Sequence, residues 1–165
     1  MLMANLADVD HAEGRLLLGN RCYGKGGLAK HGTTHENVLT GAGVPYSING
    51  VMYSKAATAE LDLSALTMLA GTGLPLLAAP AQPAGTACVY LLLLDASGTV
   101  KVLPGLPAPA SGPCPCPGLL PDHAPLGAIK VVNGTVNPFV IGTTALNTAS
   151  LTVTYVDLAS VPAVL

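Results

Sequence analysis

A glycine-rich stretch near the start of the chain has the spacing of a phosphate-binding loop. Gly19 and Gly24 enclose four residues, and Lys25 follows directly. Such a loop holds phosphate with its backbone N–H groups and its lysine, but it also needs Ser or Thr at the next position to bind magnesium. Gly26 stands there instead, and Gly27 follows where a helix should begin. The sequence therefore favours a basic, flexible segment over a nucleotide site.

A second group of reactive side chains has the residue types of a zinc site. Cys114 and Cys116 flank Pro115, and Asp122 and His123 follow shortly after. Structural zinc sites usually combine two pairs of ligands, with two to four residues within a cysteine pair. The other two cysteines of the chain lie far away in the sequence. We expect exposed loop thiols, no metal, and no disulfide in a chain made in a reducing cytosol.

Residues that could catalyse a reaction are not grouped in a recognisable motif. The sequence has no Gly-x-Ser-x-Gly element, and three of its four histidines, His11, His31 and His35, lie in the glycine-rich first part of the chain. Glu60 and Asp62 share one face of a predicted strand, where carboxylates ordinarily act as solvated edge charges. We expect a protein that is not an enzyme and that needs no cofactor.

Residues 1–45 are predicted to form an extended N-terminal arm. Eight glycines interrupt them, and no apolar run is longer than four residues. Ordering such a segment alone would cost more conformational entropy than its few apolar groups return, so it should fold against a partner. Residues 15–35 contain no acidic residue. The contacts with the partner would come from the four cations of this stretch, Arg15, Arg21, Lys25 and Lys30.

The most strongly patterned stretch, residues 87–102, predicts a β-hairpin in the middle of a sheet. Cys88–Leu94 is uncharged throughout, which is typical of a strand that is buried on both faces. Asp95–Gly98 has turn chemistry, and Thr99–Val102 alternates polar and apolar residues.

Other segments add strands and turns but almost no helix. Asn49-Gly50 predicts the turn of a second hairpin within Val44–Ala57, and Leu151–Leu158 alternates as a half-exposed strand. Eight prolines within residues 104–125 predict an exposed, stiff excursion with polyproline-II character. The sequence thus indicates an all-β fold, a β-sandwich or a jelly-roll-like barrel, with the arm at 1–45 and the β domain at 46–165.

Composition points to assembly with other proteins. Hydrophobic residues make up 50% of the chain and charged residues only 10%, and residues 63–94 carry no charge. A surface so poor in charge favours burial against other subunits. The net charge of −2 argues against nucleic-acid binding, and the glycines and prolines of residues 71–85 argue against a membrane span. We expect a soluble protein that is made in the cytoplasm.

Four segments of the chain resemble small virion structural proteins of tailed bacteriophages. The resemblance covers roughly residues 44–163 and is carried by Ser47–Thr58, Tyr90–Val102, Pro125–Gly127, and Thr143–Leu146 with Tyr155–Pro162. It implies a head decoration, or cement, protein on the outer surface of the phage head. Such a protein is all-β, commonly a homotrimer, bound to the major capsid protein and without catalytic residues.

The alternative is a protein of a different class, a tail-fibre or receptor-binding module that recognises a bacterial surface ligand. Carbohydrate-binding tips usually depend on exposed aromatic side chains. One Phe, five Tyr and no Trp provide few of them. The sequence therefore favours decoration of the head.

Overall fold

The computed structural model describes residues 19–134 and 136–158. Within these residues the chain forms twelve strands and no helix, so the all-β prediction is confirmed. The strands are β1 Arg21–Cys22, β2 Leu28–Lys30, β3 Val38–Thr40, β4 Val44–Ile48, β5 Val51–Lys55, β6 Thr58–Leu61, β7 Thr67–Met68, β8 Thr86–Leu94, β9 Val100–Pro104, β10 Ala108–Pro109, β11 Ala124–Asn133 and β12 Leu151–Asp157.

The fold is built around a six-stranded sheet with the order β12-β11-β8-β9-β7, in which β10 also pairs with β8. The predicted central hairpin is confirmed as β8 and β9, and Ala87–Leu94 is buried on both faces. Gly98 takes a φ of 78° in the turn, a conformation that glycine adopts without steric cost. This sheet therefore has a core on each side.

The first core lies between the central sheet and two small sheets, β1-β4-β5 and β2-β3-β6, which gives the predicted sandwich. β11 has a register shift between Pro125 and Gly127, so Leu126 and Ile129 both face this core although they are three residues apart. The predicted turn at Asn49-Gly50 joins β4 to β5, with φ values of 50° and 79° at the two residues.

The second core lies on the opposite face of the central sheet, under the proline-rich segment. The prediction of an exposed excursion at 104–125 is wrong for the part of this segment that folds back onto the central sheet. Cys114 and Leu120 are buried there against Val89, Leu91 and neighbouring apolar residues of the sheet. The physical reason is that β8 is apolar on both faces, so both faces require a cover.

The structure also differs from the predicted arm at 1–45. Residues 19–45 belong to the β domain, because β1 pairs with β4, β2 with β3, and β3 with β6. Cys22, Leu28 and Val38 are buried in the first core. These few apolar side chains are enough to order residues 19–45, because their strands pair with one another and with later strands of the chain. Residues 1–18 lie outside the described residues.

Candidate interaction surface

A groove of about 500 Å³ opens over the second core. The loop that follows β7 contributes Gly71 to its lining, the end of β9 contributes Leu103 and Pro104, and the proline-rich segment contributes the other residues. Its lining is almost entirely apolar and contains no charged residue: Gly71, Leu103, Pro104, Gly105, Leu106, Pro115, Cys116, Pro117, Gly118, Leu119, Leu120 and Pro121. An apolar concavity of this kind suits an apolar side chain or segment of a partner.

The shape of the groove depends on how the chain leaves β9. The N–H of Gly105 donates to the carbonyl oxygen of Val89 at 2.7 Å. A Cβ on residue 105 would lie 2.9 Å from that same oxygen, so only glycine permits this close approach. The chain then runs through Leu106, pairs with β8 at Ala108–Pro109, and packs against the sheet again at Cys114.

Three exposed leucines lie on the segments that contribute to the groove: Leu106 lines it, and Leu74 and Leu77 lie in the same loop as Gly71. Leu106 is 80% exposed, Leu74 is 67% exposed and Leu77 is fully exposed. The loop that carries Leu74 and Leu77 is nevertheless ordered, since Ala70 donates to the Leu74 carbonyl at 2.7 Å and Leu76 donates to the Met68 carbonyl at 2.8 Å. Large apolar side chains held in water by a defined backbone mark a contact surface. We call the groove and these three leucines the apolar rim.

The two cysteines of the proline-rich segment differ in their surroundings. Cys114 is fully buried in the second core, whereas Cys116 is half-buried and lines the groove. Burial raises the pKa of both thiols, so both stay protonated and weakly nucleophilic at neutral pH. The prediction of exposed loop thiols is therefore wrong for Cys114. Both cysteines are free, as are Cys22 and Cys88.

The predicted basic contact residues are distributed over two sheets. Arg21 lies on β1 with its guanidinium 5.2 Å from the centre of the Tyr23 ring. Lys25 is exposed in the connection to β2, and Lys30 is half-buried on β2 itself. Arg15 lies outside the described residues. The structure thus places three of these cations on the folded domain rather than on an arm.

The segment that resembles a phosphate loop has a structural role. β1 occupies its centre, and burial raises the pKa of Cys22 to about 12. The carbonyl oxygen of Gly26 accepts from Ala42 at 2.9 Å, and the strand β2 follows where a phosphate loop would have a helix. The segment therefore lacks the helix N-terminus on which a phosphate loop holds its phosphate.

The paired carboxylates Glu60 and Asp62 are exposed, but each has partners within the chain. Asn37 donates a hydrogen bond to Glu60 Oε1 at 2.7 Å, and this bond lowers the pKa of Glu60. The His31 ring, 3.9 Å from the same oxygen, also lowers this pKa. The hydroxyl and the N–H of Ser64 donate to Asp62 and lower the pKa of that carboxyl. These carboxylates stabilise turns and strand ends and are not poised as an acid–base pair.

Among residues 19–134 and 136–158, no three His, Cys, Asp or Glu side chains are grouped so as to hold a metal ion. In the same residues no helix has the length and apolar character to cross a membrane. No family model, curated protein or solved structure matches this chain.

Proposed function

We propose that this protein decorates the outside of a tailed-bacteriophage head and stabilises the shell. The observation that carries the proposal is the apolar rim, which combines a groove lined by no charged residue with three exposed leucines on the segments that contribute to it. A small protein that exposes such a surface gains free energy when another protein covers it. The proposal assigns it a structural role without catalysis, cofactor, nucleic acid or membrane.

Two parts of the surface have different tasks in this proposal. The apolar rim packs between copies in a homotrimer, because burying apolar side chains such as Leu77 requires no charged partner. Arg21 and Lys25 contact acidic groups of the major capsid protein, together with Lys30 and, outside the described residues, Arg15. Ionic contacts of this kind orient a protein on a large charged surface.

The tail-fibre alternative finds less support on the surface. A module that binds bacterial carbohydrate would present flat aromatic side chains to the sugar rings. Among the described residues, Tyr23 is the one large aromatic side chain that is substantially exposed, at 41%, and Arg21 lies over its ring. This favours a structural role over receptor binding.

The role of the apolar rim is tested by a charge placed at its most exposed leucine. We expect Leu77→Asp to lower the mass of the protein in sedimentation, because three-fold contacts would bury an unpaired carboxylate. Val136→Asp is the matched control, since Val136 is 91% exposed and belongs to the connection between β11 and β12, not to the apolar rim. A wild-type protein that sediments as a stable monomer, or equal effects of both variants, would contradict the proposal.

A further inference from the structure

Among the described strands, β12 forms one edge of the central sheet. It pairs with β11 over seven residues without a bulge, and no described strand pairs with its other side. Edge strands are normally blunted by lysine, proline, a bulge or a short length. β12 has none of these, and its one charged residue, Asp157, accepts a hydrogen bond from the N–H of Leu28 at 3.1 Å. The opposite edge, β7, has only two residues.

The backbone groups that face away from the sheet can be assigned by alternation. In an antiparallel ladder, alternate residues direct their N–H and C=O groups to opposite sides. Gly134 donates to the Ser150 carbonyl at 3.0 Å, and Leu158 donates to the Leu126 carbonyl at 3.5 Å, so even-numbered residues of this strand face β11. Val153 and Tyr155 therefore direct their backbone groups toward the free edge.

The side chains of β12 are compatible with a second copy of the same strand. Val153 and Tyr155 pack against the first core but stay partly exposed, while Thr152 and Thr154 are exposed on the other face. When two copies run antiparallel with Thr154 opposite Thr154, Val153 of each copy faces Tyr155 of the other. Threonine pairs and aromatic–β-branched pairs are both favourable across strands, and no like charges meet.

From this geometry we infer that β12 pairs with β12 of a second copy around a two-fold axis at Thr154. Each Val153–Tyr155 pair then exchanges both main-chain hydrogen bonds, and the central sheets of two copies become continuous. This contact is separate from the apolar rim and does not depend on the proposed function. Because a two-fold contact cannot close a trimer, on a coated shell it would join neighbouring trimers.

The register is tested by a pair of cysteine variants. In a pair of residues that lack mutual hydrogen bonds the Cα atoms are about 4.5 Å apart, within the range for a disulfide. Under mild oxidation Thr154→Cys should therefore give a covalent dimer. In Thr152→Cys the two cysteines would be about 13 Å apart, because four residues at about 3.3 Å per residue separate them along the strands. This control should not cross-link beyond the wild-type protein, whose own cysteines set the background.

The association itself is tested by a lysine at the same position. Thr154→Lys should lower the sedimenting mass at least twofold, since edge lysines oppose strand pairing. Ser54→Lys is the matched control, because Ser54 is an exposed polar residue on the edge strand β5, and it should leave the mass unchanged. Equal cross-linking of both cysteine variants, no cross-linking of Thr154→Cys, or an unchanged mass of Thr154→Lys would each overturn the inference.

Discussion

Asp95 organises the turn between β8 and β9 through a single carboxylate. Its Oδ1 accepts from the hydroxyl of Ser97 at 2.6 Å, from the N–H of Ser97 at 2.9 Å and from the N–H of Thr99 at 3.1 Å. Its Oδ2 lies 3.1 Å from the ammonium of Lys101. Partial burial raises the pKa of Asp95, but the hydrogen bonds from Ser97, Lys101 and Thr99 outweigh it and lower the pKa to about 2.

This depressed pKa predicts how the central hairpin responds to acid. The ordinary pKa of an aspartate is about 3.9, so the ionised carboxylate stabilises the fold fully above that pH and loses its contribution as the pH falls toward 2. The contribution should be about 2 kcal/mol. We expect Asp95→Asn to lower the free energy of unfolding at neutral pH and to flatten its decline between pH 4 and pH 2, measured by urea titration.

A second variant separates the charge pair from the hydrogen bonds of the turn. Lys101→Met removes the ion pair but leaves the bonds from Ser97 and Thr99, so its effect should be the smaller of the two. If Asp95→Asn declined in acid as steeply as the wild-type protein, Asp95 would not be the group that carries this dependence.

At the scale of elements, the hairpins could be predicted because their signals are local. Asn49-Gly50 and Asp95–Gly98 specify turns, and the residues beside them form strands that pair directly across those turns. β1, β2 and β3 could not be predicted in this way. They have only two or three residues, too few to show a period, and they pair with residues far along the chain, as Arg21 does with Ser47.

The groove was missed for a related reason. Proline content predicts stiffness, but it does not say which surface a stiff segment lies against. One signal was present, since Leu119-Leu120 and Cys114 are apolar residues within a segment otherwise suited to solvent. Their side chains pack against the second face of the central sheet, which would otherwise expose apolar residues to solvent.

This anchoring predicts different effects of serine at the two cysteines of the segment. Cys114→Ser places a hydroxyl in a fully buried apolar site and should cost about 1–3 kcal/mol of unfolding free energy. Cys116→Ser, in the half-buried wall of the groove, should cost less than about 0.5 kcal/mol. Chemical denaturation measures both. Equal, small losses would mean that the proline-rich segment is only loosely attached to the sheet.

At the scale of the whole molecule, the structure changes how attachment to a shell must be tested. Deleting residues 1–40 would remove β1, β2 and β3 with the core residues Cys22, Leu28 and Val38, so loss of binding could reflect loss of the fold. Single charge changes at Arg21 or Lys25 leave the core intact. The two contacts proposed between copies, at the apolar rim and at the edge of β12, are tested separately from this attachment.

The number of copies per virion tests the central claim most directly. Under the proposed function a tailed phage encodes this chain, and quantitative mass spectrometry of its purified particles would give the molar ratio of the chain to the major capsid protein. Decoration of the head predicts hundreds of copies in a fixed ratio to the shell subunits, and their selective release when the head surface is stripped. A handful of copies that remain with isolated tails, or absence from the particle, would contradict the account.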